Sequence, residues 1–357
     1  MNKIKVVQVG CGKMSKFTMR YVFEKGASIV GAVDINPQVI GQDIGTIMAT
    51  KPYNIVIEDI SNLGNLLDRV KPDICIVTTM SLLNDLEETL RIIVNHGSNA
   101  ITTCEEAFYS KNSNPTVWKD LDILAKANRV TITGCGYQDV FWGNLISVIA
   151  GSTHQINKIV GSSSYNVEDY GIALAKAHGA GLSLEAFAKE IASADNISET
   201  ERENLIQNKL FLPSYMWNTV GWLADKFHLT ITSMKQECLP TTHDSDLHST
   251  TLNMTIPSGY ATGMRAKVTA TTQENITLIA ECVGKVYAPD EFDKNEWTIE
   301  GEPNTTVTVN RPATVELTCA DIVNRLPDVI NSEPGFIPTS AFNDPQYRLH
   351  DLTTYLK

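Results

Sequence analysis

The sequence predicts an α/β N-terminal domain built on a parallel sheet, followed by an α+β domain whose sheet is mainly antiparallel. Three observations carry this expectation. Residues 1–140 alternate short β-rich apolar runs with segments of helical spacing, the pattern of βαβ units. After Gly136 the texture changes, and residues 249–308 are nearly all strand-like. The 357 residues also exceed what one hydrophobic core usually organises.

The strand-like runs of the first part are 4–9, 28–33, 54–57, 74–78, 100–103 and 130–133. The run Ile74-Cys75-Ile76-Val77 is apolar at every position, which fits a strand buried on both faces. Residues 85–95 read as a helix with Leu86, Leu90, Ile93 and Val94 on one side, ended by His96-Gly97. Further helices are expected over 141–150, 171–178, 184–194, 199–208 and 215–227, with a strand over 158–163. Strands follow around 250–255, 264–271, 277–283 and 305–309. A last helix over 313–326 precedes a loop running from Pro327 to the end. The expected domains are 1–140, with 312–357 packing back on it, and 141–311.

Composition narrows the function. Hydrophobic residues make up 43% and charged residues 20%, ordinary values for a globular chain. The formal net charge of −12 and the lack of any Lys/Arg run disfavour nucleic acid or an anionic membrane surface as partners. No stretch approaches the roughly 18 apolar residues that cross a bilayer, and the start lacks a signal-peptide pattern, so a cytoplasmic protein is expected. The seven cysteines are scattered and suggest buried free thiols rather than a disulfide framework or zinc site. His243-Asp244-Ser245-Asp246-Leu247-His248 has no standard metal-site spacing, so no metal is expected.

The first strand ends in Gly10-Cys11-Gly12-Lys13-Met14-Ser15, a Gly-x-Gly-x-x-Ser loop that opens a helix. Gly10 permits the tight turn, Gly12 the close approach of a pyrophosphate, and Ser15 is a small residue at the helix–strand contact. The second strand ends in Asp34, 24 positions after Gly10, where an acid binds the adenosine ribose of a dinucleotide. This is the pattern of a Rossmann domain. An acid at that place accepts from the 2′-hydroxyl of NAD and repels the 2′-phosphate of NADP, and Ile35 and Asn36 supply no positive charge. NAD is therefore the expected cofactor, with NADP possible. Thr78, Thr79, Thr102 and Thr103 fall at strand ends, where small hydroxyl residues can approach the nicotinamide ribose. The expected cofactor set is Gly10, Gly12, Lys13, Met14, Asp34, Ile35, Thr78, Thr79, Thr103, Gly136 and Gln138.

The fifth strand runs into Cys104-Glu105-Glu106-Ala107, placing two adjacent carboxylates where the nicotinamide should lie. Consecutive side chains do not both face a cleft, so one is the catalytic candidate and the other a solvated or helix-start acid. Glu105 is preferred, with Glu106 the alternative. Phe141 and Trp142 are candidates for an apolar pocket wall, and Tyr165, Tyr170 and His178 for a substrate pocket. Arg265 is carried as a candidate partner for a substrate carboxylate.

Sugar and polyol dehydrogenases of the Gfo/Idh/MocA group carry Glu-Lys-Pro at the carboxylate position, and the chain departs from them there with Glu105-Glu106-Ala107. It resembles instead the family of 2,4-diaminopentanoate dehydrogenase and the native amine dehydrogenases, in which a Cys/Ala-Glu-Glu stretch follows this strand. Thr133-Gly134-Cys135-Gly136-Tyr137-Gln138-Asp139 and Ala177-His178-Gly179-Ala180-Gly181-Leu182-Ser183-Leu184-Glu185-Ala186-Phe187 match as well. So do Trp297-Thr298-Ile299-Glu300-Gly301-Glu302-Pro303 and Val329-Ile330-Asn331-Ser332-Glu333-Pro334-Gly335. Lys13-Met14-Ser15 departs from the Ala-Met-Gly of that family, which bears on fine cofactor preference.

The resemblance implies NAD(P)-linked oxidative deamination of a small amine or diamino acid, and reductive amination in reverse. A carboxylate suits that chemistry, because it takes the proton from the ammonium and stabilises the iminium cation that a lysine would repel. The rival readings are a dehydrogenase of a hydroxyl substrate, which needs a lysine or histidine donor, and an NAD(H)-binding sensor without turnover. A homodimer through the second domain's sheet is also expected.

Overall fold

A computed structural model describes residues 3–357 and divides the chain into two compact units. The first comprises Met1–Asn144 and Ala313–Lys357, and the second Leu145–Pro312.

The first unit begins β1 (Lys5–Val9), α1 (Ser15–Glu24), β2 (Ser28–Asp34), α2 (Ile44–Ile47), β3 (Ile57–Asp59) and α3 (Leu63–Val70). It continues β4 (Ile74–Val77), α4 (Leu83–Asn95), β5 (Asn99–Thr102), α5 (Pro115–Asn128) and β6 (Thr131–Gly134). β4 is buried at all four positions between β1 and β5, as its unbroken apolar sequence predicts. α4 buries Leu83, Leu86, Leu90, Ile93 and Val94 on one face. α5 starts at Pro115 behind an Asn114 cap and stops at Arg129 in the left-handed region.

The expected strand 54–57 forms later, at Ile57–Asp59. Asn54 has φ 59°, and the Asp43 carboxylate takes the N–H groups of Tyr53 and Ile55, which holds the preceding segment as a turn.

The second unit contains α6 (Leu145–Ala150), β7 (Gln155–Asn166), α7 (Ile172–Ala177), α8 (Leu184–Glu190), α9 (Glu199–Gln207) and α10 (Tyr215–Lys226). Then come β8 (Ile231–Thr242), β9 (Leu247–Ser249), β10 (Met254–Ile256), β11 (Ala261–Thr272), β12 (Thr277–Lys285), β13 (Lys294–Glu302) and β14 (Thr305–Asn310). Six of these strands form a sheet in the order β14-β13-β7-β12-β11-β8, antiparallel except between β7 and β12. Its inner face buries Ile159, Trp297, Ala280, Val268 and Ala266, and α10 packs on β11 and β12. Its outer face alternates half-buried polar groups, with Lys158 paired to Glu300 and Arg265 lying 3.7 Å from Glu281.

Two expectations are corrected here. Residues 250–255 are not one strand: Glu168 accepts the Thr251 N–H, Asn253 has φ 51°, and the chain reverses between β9 and β10. β8 has no counterpart in the sequence reading. It is an edge strand carrying Lys235, Glu237 and Pro240, so it lacks apolar alternation.

Returning to the first unit, α11 (Thr314–Ile330) and β15 (Gly335–Phe336) complete the chain. α11 runs through Pro327 rather than ending before it. Val329 and Ile330 pack into the core beyond the proline, offsetting the hydrogen bond it removes. The parallel sheet has the order β15-β6-β5-β4-β1-β2-β3, the doubly wound arrangement of a Rossmann domain with β15 added beside β6. One face is covered by α3, α4 and α5 and the other by α1 and α11. Strand order reverses between β1 and β4, which marks the crevice at their carboxyl ends as the ligand site of such sheets.

Candidate active site

Gly10 has φ 88°, and a Cβ there would lie 2.6 Å from the Thr79 methyl and 2.9 Å from the Thr78 carbonyl oxygen. Glycine is therefore required both by conformation and by the approach of β1 to the loop after β4. A Cβ on Gly12 would meet nothing within 4 Å, so space above that residue is open. α1 begins with no side-chain cap at Met14, and fully buried Ser15 lets the helix close on the sheet. An open glycine loop leading into an uncapped helix N-terminus is what a pyrophosphate needs.

Asp34 ends β2, with one oxygen accepting from the Cys11 N–H and the other from the Asn36 N–H. These two bonds aim the carboxylate and leave acceptor capacity for a ribose hydroxyl. They also place Cys11 beside an acid, and burial first and Asp34 second push its thiol up to about 12. Ile35 is exposed next to Asp34.

Sequence reasoning missed Gln8, a fully buried polar residue inside β1. Its amide donates to the Gly10 carbonyl and the Thr78 hydroxyl, each at 2.9 Å, and accepts from Thr18 at 2.7 Å. Thr78 in turn donates to the Gly10 carbonyl at 3.1 Å. The network locks the glycine loop to β4 and α1. A glutamine in an otherwise apolar strand is the signal that points to it.

Beyond β5 the chain turns through Glu105, and the two adjacent carboxylates part company. Glu106 is buried: one oxygen accepts the Leu83 N–H at the start of α4 and the other the Ser113 hydroxyl, both at 2.7 Å. The structure thus gives Glu106, the alternative catalytic candidate, a capping task, with its two oxygens committed. Glu105 is half-buried, and its carboxyl is raised above the usual range by desolvation, opposed in part by the polar Ser81. Thr103 follows β5 with its N–H on the Val77 carbonyl, and Gly134 lets β6 come against the Ala107 backbone.

After β6, Gly136 has φ 131° and Gln138 is buried, donating to the Cys135 carbonyl. Tyr137 stacks on Phe141 at 4.4 Å and meets Trp142 edge-on, so both proposed wall residues belong to one aromatic cluster. The turn is held from α11, where Thr318 accepts the Tyr137 N–H and Asp321 accepts from the Cys135 thiol. Nearby, fully buried Asp139 is paired to fully buried Arg325 at 2.8 Å. The arginine is the counter-ion of Asp139.

In the second unit Tyr165, Tyr170 and His178 come together. The Tyr165 hydroxyl and His178 Nε2 are 2.6 Å apart, and His178 Nδ1 reaches the Leu174 carbonyl at 2.9 Å. Donation by Nδ1 leaves Nε2 as the acceptor of the tyrosine proton. Desolvation holds the imidazole below its ordinary value and pushes the phenol up, so both are neutral near pH 7. Tyr170 is exposed and sits edge-on to Tyr165. Arg265 is elsewhere, on the outer face of the sheet opposite Glu281.

A Rossmann sheet with a dinucleotide loop, joined to an α+β unit, defines the class: a two-unit dehydrogenase. No family model matches the chain. It is 32% identical to an amine dehydrogenase from Mycobacterium smegmatis, over 98% of each chain, with a TM-score of 0.82. The chain belongs to the amine dehydrogenase family. It is also 23% identical to the 2,4-diaminopentanoate dehydrogenase of Acetoanaerobium sticklandii, over 94% of this chain and 92% of that protein. An oxidoreductase from Agrobacterium radiobacter, solved with NAD+, L-tartaric acid and magnesium, shares the fold at 11% identity. That match covers 99% of this chain and 94% of the other, with a TM-score of 0.54. Among the described residues no helix is long and apolar enough to cross a membrane.

Proposed function

We propose that the chain is an NAD-dependent amine dehydrogenase, removing hydride from the amine-bearing carbon of a small amine or diamino acid, with Glu105 as the base. Gly10, Gly12 and the α1 N-terminus hold the pyrophosphate, and Asp34 accepts from the ribose while opposing a 2′-phosphate. When bound, NAD supplies the hydride acceptor. Glu105 takes a proton from the substrate ammonium, so that the nitrogen lone pair can assist hydride departure. Once that proton has passed to solvent, the regenerated carboxylate stabilises the iminium cation and orients the water that attacks it. Desolvation raises Glu105 toward the pH at which an ammonium proton can be exchanged. Phe141 and Trp142 are proposed as an apolar wall in the first unit, and Tyr165, Tyr170 and His178 as a separate group of substrate-pocket candidates in the second.

The observation that carries the reading is the division of labour at residues 105 and 106, where Glu106 is committed to Leu83 and Ser113 and Glu105 is left for chemistry. The test is NADH formation from NAD, and NADPH formation from NADP, over 2,4-diaminopentanoate, simple primary amines and 2-hydroxy acids. Amine-dependent activity that falls by a factor of about 10² or more in Glu105→Gln is expected. Activity on hydroxyl substrates alone, or a fully active variant, refutes it. We further propose a homodimer through the outer face of the six-stranded sheet, where Val160 and Ile279 are register neighbours and half-buried. A purely monomeric species in sedimentation velocity refutes this.

A further inference from the structure

Gln8 is out of character with the strand that holds it. Its neighbours Val6, Val7 and Val9 are apolar and fully buried, and an amide among them costs free energy unless its polar atoms are matched. Nε2 donates to the Gly10 carbonyl and to the Thr78 hydroxyl, each at 2.9 Å, and Oε1 accepts the Thr18 hydroxyl at 2.7 Å. Only this orientation serves, because the Gly10 carbonyl cannot donate and a reversed amide would set two oxygens against each other. The far side of the same peptide is held as well. The Gly10 carbonyl and the Cys11 N–H point opposite ways from one planar unit, and the Cys11 N–H goes to the Asp34 carboxylate. At the second glycine of the loop, the Gly12 carbonyl accepts the Ser15 hydroxyl at 2.8 Å.

We propose that Gln8 is a positioning residue for dinucleotide binding, its side-chain amide holding the Gly10 carbonyl turned inward, away from the pyrophosphate. The inference rests on the reading of the glycine loop as the cofactor site, and is independent of Glu105 and of the amine. A carbonyl oxygen is the negative end of the peptide dipole. A pyrophosphate settling over Gly12, where a Cβ would meet nothing within 4 Å, is repelled by any loop carbonyl that turns outward. Gly10, at φ 88°, has the backbone freedom to let the peptide after it rotate. Gln8 and Thr78 remove that freedom by donating to the same oxygen, so the loop meets the ligand already in its binding conformation. Gln8 is fully buried and acts through Gly10 rather than by touching the ligand. Thr18, fully buried on α1, fixes the amide from its other end.

The test is equilibrium binding to the cofactor-free full-length protein, with NADH read by fluorescence and ADP-ribose and adenosine by their displacement of NADH. Gln8→Met keeps the length of the side chain and removes its donors. NADH and ADP-ribose should then bind about fivefold or more weakly, the effect of losing one neutral hydrogen bond, at unchanged stoichiometry. Adenosine, which carries no phosphate, should keep its wild-type affinity. A lower stoichiometry at unchanged affinity, or equal weakening of all three ligands, is what a merely structural residue gives, and either overturns the assignment. So does a Gln8→Met protein that binds NADH as tightly as the wild type. Thr18→Val leaves Gln8 in place and removes only the donor that fixes Oε1. ADP-ribose should bind it about threefold more weakly, and Thr18→Ser, which keeps the hydroxyl, should restore the affinity. Unchanged ADP-ribose binding in Thr18→Val overturns the assignment even where Gln8→Met fails to fold. A wild-type protein that binds neither NADH nor NADPH overturns the reading of the glycine loop itself.

Discussion

Arg325 offers a demanding test of how the first unit is held together. Both it and Asp139 are fully buried, with Nε donating to the aspartate at 2.8 Å. Nη1 donates to the Asn343 carbonyl at 2.6 Å and lies 3.4 Å from Asp328. Arg325→Met keeps the apolar stem but leaves Asp139 buried with only neutral partners, the Asn144 amide and the Cys135 thiol. Breaking a buried pair by removing one member costs about 3–5 kcal/mol, and the carbonyl of Asn343 loses a bond of about 1 kcal/mol. The expected loss is therefore about 4–6 kcal/mol. Asp139→Asn should cost less, because Arg325 keeps Asn343 and Asp328. Added to Arg325→Met, it removes the unpaired charge and should recover about 2 kcal/mol. Hydrogen exchange of amides in β6 and α11 reads this unit directly, through the opening free energies of its own strands and helices. A loss below about 1.5 kcal/mol in Arg325→Met, or single effects that simply add, refutes the claim that the pair holds α11 to the segment that follows β6.

Other perturbations test the site and its surroundings. Gly10→Ala forces a Cβ to 2.6 Å from Thr79 at φ 88°, and should weaken NADH binding at least ~10-fold in a fluorescence titration. Unchanged affinity would remove the loop from the cofactor site. Asp34→Asn removes the charge that opposes a 2′-phosphate. Preference for NADH over NADPH should fall roughly 10- to 100-fold in the same titration, and an unaltered ratio would count against Asp34 as the selector. Asp321 is raised well above the ordinary carboxylate value by burial and then by Asp139. A raised folded pKa gives stability that is complete below the unfolded value of 3.8 and is lost as pH climbs toward the folded one, at about 1.4 kcal/mol per unit. Asp321→Asn should therefore be relatively more stable than wild type at pH 8 than at pH 4 in urea unfolding. A constant difference across that range would refute the assignment.

Much of this architecture was legible because it rests on local chemistry. Gly10 requires a positive φ, β4 is apolar at every position, and α4 repeats its leucines at helical spacing. What escaped depends on partners distant in sequence. β8 gains its strand character from pairing along β11, not from an alternation of its own, because its outer positions are open at the sheet edge. The turn at 250–253 is set by Glu168, more than eighty positions earlier. Gln8 reads as an oddity until Thr18 and Thr78 are seen beside it. The pair Glu105 and Glu106 is the same case in small. Their separate environments come from Leu83, Ser113 and Ser81, and no property of the dipeptide itself distinguishes them.

These distant partners share a place, and that has a mechanical consequence. Gln8 ties the glycine loop to Thr78, the Thr79 methyl leaves no room for a side chain at Gly10, and the Ser81 carbonyl joins the same loop to the turn that carries Glu105 by accepting the Glu106 N–H and the Cys104 thiol. The ends of β1, β4 and β5 are thus connected through one five-residue segment with bonds on both sides. A displacement of the glycine loop cannot be absorbed at Thr79, where a clash of 2.6 Å already excludes a methyl group, so it is passed along the segment toward Ser81. Cofactor affinity and the environment of Glu105 are on this account two readings of one rigid element. Changes at Gly10 should therefore disturb the Glu105 titration, whereas changes at Asp34, whose carboxylate is anchored to Cys11 and Asn36 instead, should leave it alone.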